Sequence, residues 1–158
     1  MIELPLHVAM DLAAEELAHL AHMLRAFPAY VRGRGEDYLM AGRLRDCRLD
    51  DRAIVASVRG TRTYAVRWAL RGASAVPLCT CPAGPICKHA YATGLAVVAA
   101  ARACDLLPAD SVDLLPAALE RHLAGKTPAP PPSLSRPPAA PAQPQLAALR
   151  NAGSAWLR

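Results

Sequence analysis

The run Cys79-Thr80-Cys81-Pro82-Ala83-Gly84-Pro85-Ile86-Cys87-Lys88-His89 places four soft or borderline donors in one short stretch. In an extended segment residues i and i+2 face the same way, so Cys79 and Cys81 present both thiols to one point. Pro82, Gly84 and Pro85 then supply a tight return. Cys87 and His89 arrive at the start of a following helix, where the helix dipole favours thiolate. Three thiolates and one imidazole form a closed tetrahedral set, which predicts one structural zinc ion held by Cys79, Cys81, Cys87 and His89. A closed set has no open position for water and argues against hydrolytic chemistry. The plainer alternative is a loop of reduced cysteines. A Cys87–His89 nucleophile pair would need an oxyanion device that the stretch does not offer.

A chain of 158 residues, 53% hydrophobic and 20% charged, suits one ordinary domain plus a tail. Its five cysteines are an odd number and three crowd into the run above, a pattern of metal ligation rather than of a disulfide framework. Cys47 and Cys104 are spaced for neither ligation nor catalysis, and they read as buried free thiols. Met1-Ile2-Glu3 opens without a basic segment before an apolar one, and the small-residue stretch from Ala90 to Ala101 is too short to span a bilayer. The expected location is the cytoplasm, with no membrane partner.

Apolar residues Leu12, Leu17, Leu20, Met23 and Leu24 repeat at helical spacing, with Glu15 and Glu16 early and Arg25 late, which predicts a helix over 11–26. His19 and His22 lie three apart on it, read as a partly exposed pair because no further ligand adjoins them. Ile54, Ala56 and Val58 alternate, as do Tyr64, Val66 and Trp68, with Arg59-Gly60-Thr61-Arg62 as the turn between them. That is a hairpin with one buried face. An earlier strand is expected from Tyr38 to Leu49. Residues 88–104 read as a mostly buried Ala-rich helix in which Gly94 marks close approach of another backbone. Residues 110–123 read as a further helix, with Pro116 near its first turn or at a kink. Eight prolines between Pro128 and Pro144 make a semi-rigid linker. Beyond it Leu146, Leu149, Trp156 and Leu157 form a short amphipathic tail, read as a docking peptide or as plain disorder.

The expected fold is therefore α+β. It combines an N-terminal helix over 1–30, a small antiparallel sheet with a zinc knuckle and following helices over 31–125, a linker over 126–144 and a tail over 145–158. The pattern C-x-C, five residues, C-x-H, set between a hairpin and a helix, resembles the SWIM zinc finger. Tyr38 and Gly42, then Val58-x-Gly60-x-x-x-Tyr64-x-Val66, are similar to the hairpin that precedes the ligands in that family. The resemblance covers roughly residues 31–103 and implies a small standalone bacterial form that binds DNA or protein, with the ligand role on Cys79, Cys81, Cys87 and His89. The helicase-like and transposase domains that accompany the finger elsewhere have no counterpart in this sequence.

Charge gives the functional readings. Sixteen of the 18 basic residues are arginines, and residues 25–71 hold eleven of them against five carboxylates. Arg43, Arg45, Arg48, Arg52, Arg59, Arg62, Arg67 and Lys88 are the candidate nucleic-acid contacts, predicting a DNA-binding accessory module in repair, recombination or helicase-associated processes. Arg43 and Arg45, and separately Arg62 and Arg67, alternate with apolar neighbours, which admits a solvent-facing basic sheet face. A merely solvated arginine surface is the competing reading. The alternative function is a protein adaptor that docks a larger ATPase, recombinase or helicase without touching DNA. No phosphate loop, nucleophile or acid–base pair is present, so neither an enzyme nor a small-molecule substrate is expected.

Overall fold

Strict alternation builds the sheet. In the computed structural model, which describes residues 2–107 and 109–125, strand β2 (Ala53–Arg59) and strand β3 (Thr63–Arg71) form the expected hairpin. Ile54, Ala56 and Val58 of β2, with Tyr64, Val66, Trp68 and Leu70 of β3, all point into the core. Strand β1 (Leu44–Asp50) and strand β4 (Ser74–Cys79) flank the hairpin, giving a four-stranded antiparallel sheet in the order β1-β2-β3-β4. The fold is α+β, with helices against one face of the sheet.

Strand β4 has no counterpart in the sequence reading. Its Pro77 argues against a strand, but an edge strand tolerates a residue that cannot donate a ladder hydrogen bond. Strand β1 starts later than expected, because Tyr38 belongs to a helix and Gly42 to a turn with φ of 65°. That helix, α3 (Ala29–Met40), follows Pro28 and contains two glycines, each unfavourable by about 1 kcal/mol in a helix interior. Burial of Val31, Gly35 and Leu39, one turn apart, offsets that cost. At Gly35 a Cβ would stand 2.5 Å from the Tyr91 ring, so glycine is what lets α3 approach its neighbour.

That neighbour is helix α4 (Lys88–Ala103), buried on every side from His89 to Ala101. Its small side chains let helices α1 (Leu6–Met10), α2 (Ala14–Arg25) and α3 and the sheet's inner face all pack on it. Helix α2 matches its expected place, with the Ala13 N–H donating to Glu16 Oε2 at 3.0 Å. Within α4, Gly94 is crowded by side chains, Leu24 and Trp68, and not by another backbone as expected. The Trp68 indole N–H donates to the Ala90 carbonyl at 3.0 Å, and Phe27 lies against both Trp68 and Tyr91. The helix expected over 110–123 is broken in two: a 3-10 segment (Ala109–Leu114), then helix α5 (Ala117–Ala124) with Pro116 at its N-cap. Proline is excluded from a helix interior, so the helix restarts there. Among the described residues no helix is long and apolar enough to cross a membrane. The expected linker over 126–144 and the tail residues Leu146, Leu149, Trp156 and Leu157 lie outside the described residues.

Candidate metal centre

Strand β4 ends at Cys79, and the chain continues through Cys81 into a turn in which Gly84 takes a positive φ of 79°. Cys87 is the N-cap of α4 and accepts the Ala90 N–H on its Sγ at 3.4 Å. His89 sits in the first turn of the same helix. One end of a strand and one end of the central helix thus deliver the donors, and the ligand atoms of Cys79, Cys81, Cys87 and His89 all lie within 4.8 Å of one another.

The imidazole presents Nδ1 to the sulfurs, 3.9 Å from the Sγ of Cys79 and 3.9 Å from that of Cys87. A tetrahedral ion with thiolates at about 2.3 Å and an imidazole nitrogen at about 2.0 Å spaces its donors roughly 3.5–3.8 Å apart. The donor set therefore closes on a metal ion with little rearrangement. Electrostatics point the same way. Burial, with the charges of Lys88 and Arg34, pushes His89 down to about 4, leaving the imidazole neutral and free to ligate at pH 7. Burial pushes the Cys79 thiol up to about 12, and burial also raises Cys87. Thiolates crowded this way need a cation, which reverses the local pKa order.

The second imidazole nitrogen, Nε2, is buried and has no hydrogen-bond partner. Ligating histidines usually donate that N–H to a carboxylate or carbonyl. Here the ring is held by packing instead. Tyr64 stacks on it with centroids 4.6 Å apart, and Tyr38 meets it edge-on at 5.3 Å. The Tyr64 hydroxyl shares a 3.0 Å hydrogen bond with Thr61, which, with Arg62, holds its pKa below the usual phenol range. Gly60 completes the enclosure, since a Cβ there would stand 2.9 Å from the Tyr64 ring and 3.2 Å from Nε2. Gly60→Ala must shift the Tyr64 ring on the imidazole, and the expected result is a weaker metal site, by about 10-fold at the low end of the losses seen when a ligand's outer support is disturbed. Competition against a chromophoric chelator measures it; an unchanged affinity would show that the stacked ring is dispensable.

From the sequence Gly60 and Tyr64 read as hairpin residues with no part at the metal. Spacing along the chain carries no signal for a contact made across the β2–β3 turn onto α4.

The basic residues separate into groups. Arg43 stacks over Tyr38 at 4.8 Å and donates to the Arg59 carbonyl at 3.3 Å. Lys88 Nζ lies 4.5 Å from the centroid of that same ring, and Arg62 lies 6.0 Å from that of Tyr64. These three cations sit on the tyrosines that pack against His89, and Arg59 follows at the end of β2. Arg45, Arg48 and Arg67 occupy the outward face of the sheet instead, opposite Ser57, Val55 and Leu78 in register. Arg52 stands at the β1–β2 turn, at the far end of the sheet, and pairs with Glu16 at 3.1 Å. The expected alternation is corrected accordingly: Arg43 precedes β1 and Arg62 is in a turn, so neither shares the sheet face with Arg45 or Arg67.

Cys47 and Cys104 are half-buried rather than buried. Burial still pushes the Cys47 thiol up to about 12, which keeps it protonated and unreactive. His19 is half-buried and His22 exposed, as expected of a pair without further ligands. No family pattern, curated protein or solved structure matches the chain.

Proposed function

We propose that this chain is a zinc-stapled accessory module of the SWIM type that binds nucleic acid through the cationic surface around its metal centre. The donor chemistry supports zinc: three thiolates and an imidazole in a closed tetrahedral arrangement suit it better than hard cations, which take oxygen. The zinc's part is structural, since four protein donors leave no open position, and no catalytic role is assigned to any residue. The order hairpin, C-x-C, turn, C-x-H, helix supports the SWIM resemblance, though Tyr38 and Gly42 stand in a helix and a turn rather than in a strand.

One observation carries the nucleic-acid reading. Of Arg43, Arg45, Arg48, Arg52, Arg59, Arg62, Arg67 and Lys88, only Arg52 has an ion-pair partner among the described residues. The others carry a charge that no carboxylate neutralises among the described residues, which leaves that charge to attract phosphate. Binding of a fluorescein-labelled DNA, followed by anisotropy, is expected to weaken linearly in log–log with salt, by roughly 0.9 per phosphate neutralised on duplex. Arg59→Glu combined with Arg62→Glu changes two exposed residues at the β2–β3 turn, beside the metal centre. It should lower affinity at least tenfold and flatten the salt slope. No binding below micromolar concentration at low salt would reject the reading.

A second reading, docking of a larger ATPase, recombinase or helicase, is favoured by the outward sheet face. There Val76 and Leu78 are 48% and 53% exposed on the edge strand β4. Partner binding that survives Arg59→Glu/Arg62→Glu and is lost in Leu78→Asp would establish it.

A further inference from the structure

A hollow of about 330 Å³ opens at the metal centre itself, with Cys81, Cys87 and His89 in its lining, and continues outward between α3 and the knuckle. Its wall on the α3 side is Tyr30 and Arg34, and Ile86 and Lys88 stand on the knuckle side. Tyr64, the ring that stacks on His89, lines it as well. Tyr30 and Arg34 are one helical turn apart, so the ring and the guanidinium stand side by side on one face of α3. Tyr30 is 73% exposed, and Ile86 across the hollow is 43% exposed. The Tyr30 ring in particular is left mostly uncovered by the fold. Neither Arg34 nor Lys88 has a carboxylate partner among the described residues.

Flat apolar walls with two cations at the rim match the chemistry of one nucleotide: a planar base to lie against tyrosine and a phosphate to meet the cations. A base within a duplex is stacked on both faces and cannot enter such a hollow; an unpaired base can. Three of the four tyrosines, Tyr30, Tyr38 and Tyr64, gather at this end of the molecule although they are far apart in sequence. Resting on the nucleic-acid reading above, we infer that the hollow seats one unpaired nucleobase of a single strand, stacked on Tyr30, with its phosphate on Arg34 and Lys88. The module thereby prefers single-stranded to duplex nucleic acid.

The test compares a fluorescein-labelled oligo-dT with a duplex of equal length at equal salt, using the metal-loaded full chain. The single strand should bind at least tenfold more tightly. Tyr30→Ala should weaken single-strand binding by roughly 5- to 100-fold, the range for loss of one stacked base, while Tyr30→Phe stays within about twofold of the parent. Arg34→Ala should weaken it too and reduce the salt slope by about 0.7. Both side chains are exposed, so metal content and melting temperature should hold, and a variant that keeps both has lost a contact rather than its fold. AMP as competitor separates the sources of the chemistry: displacement of the strand only at millimolar AMP supports strand binding, and micromolar displacement assigns the hollow to free nucleotides and overturns the inference. Equal affinity for strand and duplex, with Tyr30→Ala neutral and Arg59→Glu/Arg62→Glu still disruptive, overturns the hollow and leaves the cationic surface standing. No binding by the parent protein overturns both.

Discussion

Removing the metal is expected to unfold the chain. Cys81→Ser, or chelation of the parent protein, should abolish the cooperative thermal transition and most of the helical circular dichroism. Apparent binding free energies of structural zinc are on the order of 10 kcal/mol, and domains of this size are stable by only about 5–15 kcal/mol. The position of the site makes the loss global. The donor set bridges the end of β4 and the N-cap of α4, and α4 is the helix on which α1, α2, α3 and the sheet all pack. Without the cation, buried thiols that favour their protonated form remain beside a neutral imidazole, and the knuckle between Thr80 and Cys87 has no ladder of its own to hold it. Re-addition of zinc should restore the transition at one ion per chain, measured by elemental analysis. Cys104→Ser, at the half-buried C-cap of α4, should melt within a few degrees of the parent. A chelated, metal-free protein with unchanged spectrum and melting would reject the staple.

Trp68→Ala should produce the largest loss of stability short of removing the metal. Trp68 is fully buried, its N–H is held by Ala90, and its ring fills the space that Gly94 leaves open on α4. Truncation removes the bulk that joins the sheet to the central helix, at about 3–5 kcal/mol for a large aromatic. At roughly 3–5 °C per kcal/mol for a domain of this size, the melting temperature should fall by about 10–20 °C. Trp68→Phe keeps most of the volume and should lose less than half as much. A fall under 5 °C in Trp68→Ala would mean that the sheet and α4 are held together elsewhere.

Much of the fold is legible in the residues because burial imposes a period. Ile54 to Val58 and Tyr64 to Trp68 alternate since one sheet face is covered, and Leu17, Leu20 and Leu24 recur since one helix face is. Helix α3 escaped that reading. Its buried positions are Val31, Gly35 and Leu39, and a glycine at the centre of the stripe hides the period while making the close packing possible. Strand β4 escaped because its edge position excuses Pro77, and position within a sheet is not a local property. Of the candidate site, the four donors were legible together, since their spacing is itself the chemistry. Their surroundings were not: Tyr38 comes from α3, Gly60 from a turn and Tyr64 from β3.

The arginines show most clearly where the sequence stops. By itself the sequence determined how many there are, that they crowd before the metal ligands, and that few carboxylates accompany them. Which of them act together was decided by the tertiary structure. A β-bulge between Arg45 and Arg48, with Asp46 at a positive φ of 52°, inserts one residue into β1 against β2. Side chains alternate with a period of two along a strand, so Arg45 and Arg48 would otherwise point to opposite faces; the extra residue turns both outward. The same antiparallel topology sends Arg52 to one end of the sheet, where Glu16 neutralises it, and Arg59 and Arg62 to the other, beside the metal. The count of charges belongs to the sequence, but their grouping follows from hydrogen-bond register and strand direction, which exist only once the chain has folded.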